Sequence, residues 1–296
     1  MPFALIGFFL GMTSYSGSHN LNRAIGWDAI TFPQTIDGQL INLSTSQLIT
    51  KLLLVIACMV FARSAAMAFN RYLDSRFDAQ NPRTAIREIP AGIIKSNNAL
   101  WFVIICCLLF IATTFFINRI CFYLSPVALF VILFYSYTKR FTALCHLVLG
   151  VGLALAPIGA YLAVTGVFHL LPILFSCTVL CWVSGFDIIY ALQDEDFDRK
   201  NQLHSIPAWL GKGRALRVSQ LLHCLAIGCL VTAGLLYGLG IWYWIGVAVF
   251  AGLLVFQHTL VKPNDLSRVN LAFFTTNGIA SVIFAAFVIT DLLVRS

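Results

Sequence analysis

The stretch LLPILFSCTVLCWVSGFDIIYALQDEDFD, residues 170–198, carries no charge until Asp187 and then places Asp187, Tyr190, Asp194 and Asp198 at its end. An apolar run of roughly 20 residues has the length of a bilayer-spanning helix, and carboxylates closing such a helix are costly beside lipid. They therefore mark a ligand site. A second run has the same design: the apolar residues 47–69 lead into NRYLDSRFD (70–78), with Asn70, Asp74 and Asp78. Two sets of acids at helical spacing on two spans predict bound metal and a polyanionic ligand.

Outward from these two runs, the whole chain reads as membrane. Of its 296 residues 59% are hydrophobic and only 10% charged, with a mean hydropathy of +0.87, which excludes a soluble domain of ordinary composition. Further spans fall near 97–117, 120–137, 143–165, 214–237, 241–261 and 269–293, with a shorter apolar stretch at 2–14. The prediction is an all-α membrane protein of about nine transmembrane helices. The 2–14 stretch lacks the basic start of a signal peptide and reads as an anchored first helix, tilted or partly interfacial because it is short. Residues 14–46 (SYSGSHN, FPQTIDGQL) are polar and turn-rich, with no expected catalytic role.

The net charge of +7 forms no basic stripe, so a nucleic-acid partner is not expected. Topology accounts for it. Of the 19 lysines and arginines, 14 lie in alternate loops: Arg71, Arg76, Arg83, Arg87 and Lys95; Lys139 and Arg140; Arg199, Lys200, Lys212, Arg214 and Arg217; Lys262 and Arg268. By the positive-inside rule these loops face the cytoplasm, the N-terminus lies inside and the C-terminus outside, in a cell (inner) membrane. Both acid clusters then share the cytoplasmic face. The nine cysteines form no CxxC pair and have no histidine at zinc spacing, so they read as packing residues.

The two long basic loops, about 78–96 and 198–213, resemble each other: FDAQN (77–81) leads to IPAG (89–92), and FDRKN (197–201) leads to IPAW (206–209). This suggests two pseudo-repeated halves with the catalytic centre between them, all within one polytopic domain spanning 1–296.

On a helix, positions i, i+4 and i+8 share one face, so Asn70, Asp74 and Asp78 point the same way and can share an ion. Asp187, Tyr190, Asp194 and Asp198 fall at i, i+3, i+7 and i+11, which predicts a second single stripe. Glu195 and Asp196 are expected in solvent. Magnesium takes one or two carboxylates plus phosphate oxygens, which suits facing carboxylate stripes with a diphosphate between them. Cations for that diphosphate stand ready in Arg83 and Arg87, and in Lys139 and Arg140, although the positive-inside rule alone also yields a Lys-Arg pair at a helix end. Arg63 lies inside a span, seven residues before Asn70, and is expected to meet a cluster carboxylate or a substrate carboxylate. His146, His169, His204, His223 and His258 have no metal-ligand spacing and read as interfacial or packing residues. No GxSxG, P-loop or HExxH pattern occurs, which removes support from hydrolase and ATPase readings.

These elements resemble the UbiA family of intramembrane aromatic prenyltransferases. The resemblance rests on RSAAMAFNRYLDSRFDAQNPRTAIREIPAG (63–92), YSYTKRFT (135–142) and DIIYALQDEDFD (187–198), and with nine spans covers nearly the whole chain. It implies a helical bundle around a central cavity capped on the cytoplasmic side. It also implies that Asn70, Asp74, Asp78, Asp194 and Asp198 bind Mg2+ and the diphosphate of a polyprenyl donor, with Asp187 and Tyr190 on the acceptor side. The patterns RTAxRxxPxG and DxxYAxxDxxxD are similar to those of the 4-hydroxybenzoate polyprenyltransferases. Position 71 is Arg where many relatives have Asp, which removes a carboxylate from the first cluster. The run MAFNR also resembles the branch that prenylates naphthoate acceptors for menaquinone.

On this reading the catalytic residues are Asp74, Asp194 and Asp187. The first two hold the metal that neutralises the leaving diphosphate, and Asp187 takes a proton from the phenol or the ring of the electron-rich acceptor that attacks the allylic cation. Arg63 or Arg140 would hold the carboxylate of a small aromatic acid acceptor. The rival of another class is an ion-coupled transporter, whose acids usually lie near the midplane on broken helices. Acids gathered at one interface favour the enzyme.

Overall fold

The computed structural model describes residues 2–14 and 45–295, so the polar segment expected at 14–46 lies, except for its ends, outside the described residues. Among the described residues helices joined by loops make up the structure, with one isolated bridge between Lys262 and Asp265. In order they form α1 (Pro2–Ser14), α2 (Thr45–Gln80), α3 (Ser96–Ile117), α4 (Arg119–Thr138), α5 (Cys145–Thr165), α6 (Leu170–Ala191), α7 (Glu195–Lys200), α8 (Ile206–Leu210), α9 (Lys212–Leu236), α10 (Ile241–Leu260) and α11 (Asn277–Arg295). A 3-10 turn (Leu192–Asp194) follows α6, and a π-helical turn (Leu271–Thr276) precedes α11.

Eight of these elements are long and apolar enough to cross a membrane, and α1 is a shorter apolar helix. The eight long ones match the expected spans. Large side chains such as Trp101, Phe116, Phe130, Leu221 and Ile241 are exposed on their outer faces, as contact with acyl chains requires. Helix α1 is packed into the bundle: Ile6 and Phe8 are buried against α5 and α11. Gly7 makes that possible, because a Cβ there would sit 2.0 Å from the carbonyl oxygen of Pro157. Beside it an aromatic cluster of Phe3, Trp182, Phe250 and Phe284, with neighbouring ring centroids 5.2 to 5.6 Å apart, joins α1, α6, α10 and α11.

Two features of this bundle position the acids. Helix α2 has 36 residues, about 54 Å of helix, against a hydrocarbon layer of about 30 Å. Its last turns, with Asn70, Asp74 and Asp78, therefore extend beyond the depth a span needs. At the opposite end Asn118 caps α4 by accepting from the Cys121 amide at 2.8 Å and donates to the Leu162 carbonyl at 2.8 Å, tying α4 to the close of α5. The C-terminal ends of α2, α4 and α6 and the start of α5 thus meet at one end of the bundle. The Lys/Arg-rich loops gather there too.

Candidate active site

Helix α2 ends at Asn81-Pro82, where proline removes a backbone donor and the asparagine carbonyl instead accepts from Thr84 and Ala85, both at 2.9 Å. The Asn81 side chain accepts from the Arg83 amide at 3.0 Å. This turn swings Arg83 and Arg87 back over the acids. Arg87 reaches both oxygens of Asp78, at 2.7 and 2.8 Å. Arg83 crosses to the second cluster: its Nε donates to Asp194 Oδ1 at 3.1 Å, its Nη2 pairs with Asp194 Oδ2, and its Nη1 donates to the Tyr190 hydroxyl at 2.8 Å. Burial works against the Arg83 charge, but Asp194 and Tyr190 outweigh it and hold the guanidinium pKa above its ordinary value. Asn81 donates to Asp194 as well, at 3.2 Å.

The end of α4 supplies the other cations. Lys139 Nζ lies 2.8 Å from Asp74 Oδ2 and Arg140 Nη2 lies 3.4 Å from Asp74 Oδ1, while Asn70 donates to Asp74 at 3.1 Å. Arg140 also packs over the rings of Phe77 and Tyr137. The expected residues Asn70, Asp74, Asp78, Arg83, Arg87, Lys139, Arg140, Tyr190 and Asp194 are thus drawn into one region. For Lys139 and Arg140 the ion pairs with Asp74 go beyond what topology alone requires.

The second stripe is not single. After Tyr190 the chain tightens into the 3-10 turn because Leu192 is pulled into a cluster with Ile188, Ile189, Ile206 and Val261. Asp198 consequently sits on the separate helix α7. There Ser205 donates to it at 2.8 Å while the same hydroxyl accepts from the Ala208 amide at 3.3 Å and caps α8. Lys139, Asp194 and His146 lie within electrostatic reach of Asp198, so it remains part of the site by a different route. Glu195, expected in solvent, is instead buried and paired with Arg199 at 2.9 Å, whereas Asp196 is exposed as expected. The two similar loops also differ locally: Asn81 reaches Asp194, while Asn201 bonds back to Phe197.

His146, read from sequence as packing, is bonded to Asp187 through Nδ1 at 2.6 Å and accepts from the Ile206 amide through Nε2 at 3.4 Å. The short contact through Nδ1 sets the imidazole against the Asp187 carboxylate and orients it. No sequence signal revealed this pair or Asn81, since their partners are 41 and 113 residues away. Arg63 is exposed and makes no ion pair among the described residues, so its expected cluster carboxylate is not its partner. Tyr190 is held from both sides, with Arg83 5.2 Å over its ring and Phe273, delivered by the π-helical turn, stacked at 4.1 Å.

Among the described residues no three acidic, histidine or cysteine side chains converge tightly enough to cage a metal. The donors present are hard oxygens, each held by a cation or amide of the protein itself. That donor set fits Mg2+ entering with a phosphate ligand, which takes few protein carboxylates and completes its shell from phosphate and water.

The comparisons with known proteins agree with this architecture. The model of the UbiA prenyltransferase family matches residues 37–279. A Tolumonas auensis protein named 4-hydroxybenzoate octaprenyltransferase is 33% identical over 171 residues, which cover 57% of this chain and 60% of that protein. A protein of the same name from Francisella tularensis subsp. novicida is 29% identical over 179 residues, covering 60% and 62%. The chain therefore matches less than two thirds of the length of these relatives. Among solved structures, the apo form of a UbiA homologue from Aeropyrum pernix K1 has a TM-score of 0.78 at 29% identity, covering 98% of this chain and 97% of that one. A UbiA homologue from Archaeoglobus fulgidus, bound to GPP and Mg2+, shares the fold with a TM-score of 0.64 at 19% identity, covering 99% and 97%. With the family match extending over most of its length, and with a structural match that covers 98% of it, this chain belongs to the UbiA prenyltransferase family.

Proposed function

We propose that this protein transfers a polyprenyl group from polyprenyl diphosphate to the ring carbon ortho to the hydroxyl of 4-hydroxybenzoate, with Mg2+, for quinone synthesis. The observation that carries this reading is that, at one end of the bundle, Arg83 binds Asp194 of one acid cluster while Lys139 and Arg140 bind Asp74 of the other. Such a network is a diphosphate site in which carboxylates stand in for the anion. When the diphosphate enters, Arg83, Arg87, Lys139 and Arg140 exchange carboxylate for phosphate oxygens.

Asn70, Asp74, Asp78, Asp194 and Asp198 are the residues that would hold Mg2+, which when bound neutralises the charge accumulating on the leaving group. The allylic C–O bond breaks with its electron pair going to the diphosphate. Apolar walls keep water from the resulting cation. Asp187, oriented by His146, takes the phenol proton as the ring carbon attacks; loss of the ring proton then restores aromaticity and Asp187 returns its proton to the phenolate oxygen, so that one proton is released in all. The basic loops at the acid-bearing end support a cytoplasmic site, with the N-terminus inside and the C-terminus outside.

The names carried by the Tolumonas and Francisella relatives support the hydroxybenzoate acceptor. A second reading, a dihydroxynaphthoate-type acceptor for menaquinone, is favoured by Arg71 in the run MAFNR. Membranes containing the protein, incubated with Mg2+, a long prenyl diphosphate and each acceptor in turn, are expected to yield a lipid-soluble prenylated product identifiable by mass spectrometry. A product from the naphthoate alone replaces the first reading with the second, and no product from either overturns both.

A further inference from the structure

The basic end of the bundle carries more cations than the candidate site engages. Arg83, Arg87, Lys139, Arg140, Arg199 and Lys212 each face a carboxylate of the chain itself. Arg214 and Arg217, in the first two turns of α9, are exposed, and their side chains have no ion pair or hydrogen bond among the described residues. Helix α9 contains no acidic residue to meet them.

Their place on the helix says what lies opposite them. The buried face of α9 runs through Ala215, Ser219, His223, Ala226 and Leu230 and packs chiefly on α6. The other face carries Arg214, Arg217, Leu221, Leu225 and Leu235, which fall along one stripe of the helix. These leucines are 61%, 51% and 70% exposed, as side chains turned to acyl chains are. From Leu221 to Leu235 the stripe is apolar for about 21 Å, most of a hydrocarbon layer of about 30 Å, which sets the two arginines at headgroup depth. Trp209 marks the same level. It lies largely exposed on α8, which packs against α9 and is separated from it by Gly211 alone. An amphipathic indole there is an interfacial anchor.

We infer that Arg214 and Arg217 form a binding site for one anionic phospholipid of the surrounding leaflet, its phosphate between the two guanidinium groups and its acyl chains along Leu221 and Leu225. Two arginines one turn apart on one face reach the oxygens of a single phosphate through charge-assisted bonds. Charge selects the lipid class. A zwitterionic headgroup brings its own ammonium against the guanidinium groups, whereas an anionic one supplies the charge that the chain leaves unmatched. The site is separate from the diphosphate cations and does not depend on which acceptor the enzyme uses.

The test titrates the purified full chain in detergent with phosphatidylglycerol or phosphatidylcholine of identical acyl chains and counts bound lipid by native mass spectrometry. Wild type is expected to bind one phosphatidylglycerol about 10-fold or more tightly than phosphatidylcholine. Arg214→Gln and Arg217→Gln should each weaken that binding about fivefold, and the double variant about 20-fold, with phosphatidylcholine binding unchanged. Both side chains are exposed, so these variants should melt within about 2 °C of wild type without lipid. The control Lys262→Gln/Arg268→Gln removes the same charge from the same end, beside Asp265, and is expected to bind like wild type. Equal affinity of wild type for the two lipids overturns the inference, as does an equal loss in the control, which would make the attraction one of net charge. Glycerol phosphate at matching concentration should leave the lipid bound; full displacement would mark a site for soluble phosphates and overturn the lipid assignment.

Discussion

Asparagine at position 194 and asparagine at position 74 remove the same charge from the same site at different structural cost. Asp74 has a side chain only 3% exposed, and both Lys139, at 2.8 Å, and Arg140, at 3.4 Å, converge on it. Breaking a buried ion pair costs about 3–5 kcal/mol. Here the two cations are themselves 32% and 27% exposed, so water recovers part of that and about 2–3 kcal/mol remains. Asp194 is 21% exposed and its partner Arg83 is 32% exposed. An asparagine there still accepts from Arg83 or Asn81, so the expected loss is about 1 kcal/mol. In detergent, Asp194→Asn should melt about 3 °C below wild type and Asp74→Asn about 8 °C below. Prenyl transfer should nevertheless fall by a similar factor in both, about 10²–10³-fold, because each carboxylate would help hold the Mg2+ that neutralises the same leaving group. The assay measures lipid-soluble product from membranes at saturating Mg2+ and normalises it to folded protein. If the network only holds the fold together, loss of activity will track loss of melting temperature. Asp194→Asn with activity within tenfold of wild type would refute the proposed role.

Arg83→Lys keeps the charge but loses the paired bonds to Asp194, the bond to Tyr190 and the contact with its ring, so the donor KM should rise about tenfold in steady-state assays. Chelating divalent cations should stop transfer, yet leave the melting temperature of substrate-free protein within about 2 °C, because Asp74, Asp78 and Asp194 are already neutralised by the protein's own cations; a large destabilisation would point to a structural metal. Asp187→Asn should lower kcat about 10²–10⁴-fold with the donor KM unchanged, since its contact is His146 and its proposed role is proton transfer; a donor KM that rises instead would place it in the diphosphate site.

Helix number, the end of the bundle that holds the chemistry and the stripe Asn70–Asp74–Asp78 could be read from sequence, because each depends on periodicity or hydropathy within one continuous helix. Those properties are local. The family came from the resemblance carried by three motifs, residues 63–92, 135–142 and 187–198, each of them a continuous stretch of sequence.

Only the tertiary structure decided how those groups are matched. Helical spacing placed Asp194 and Asp198 on one stripe, but burial of Leu192 against Ile206 and Val261 breaks that helix and moves Asp198 onto α7. Glu195 changes from a solvent residue to a buried ion pair for the same reason. His146 acquires its role from Asp187, 41 residues on, and Arg83 crosses 111 residues to Asp194. Pairings of this kind are absent from any window of sequence. They arise because a bundle buries apolar faces first, and the ends of its helices then present charges that must find partners across the gap.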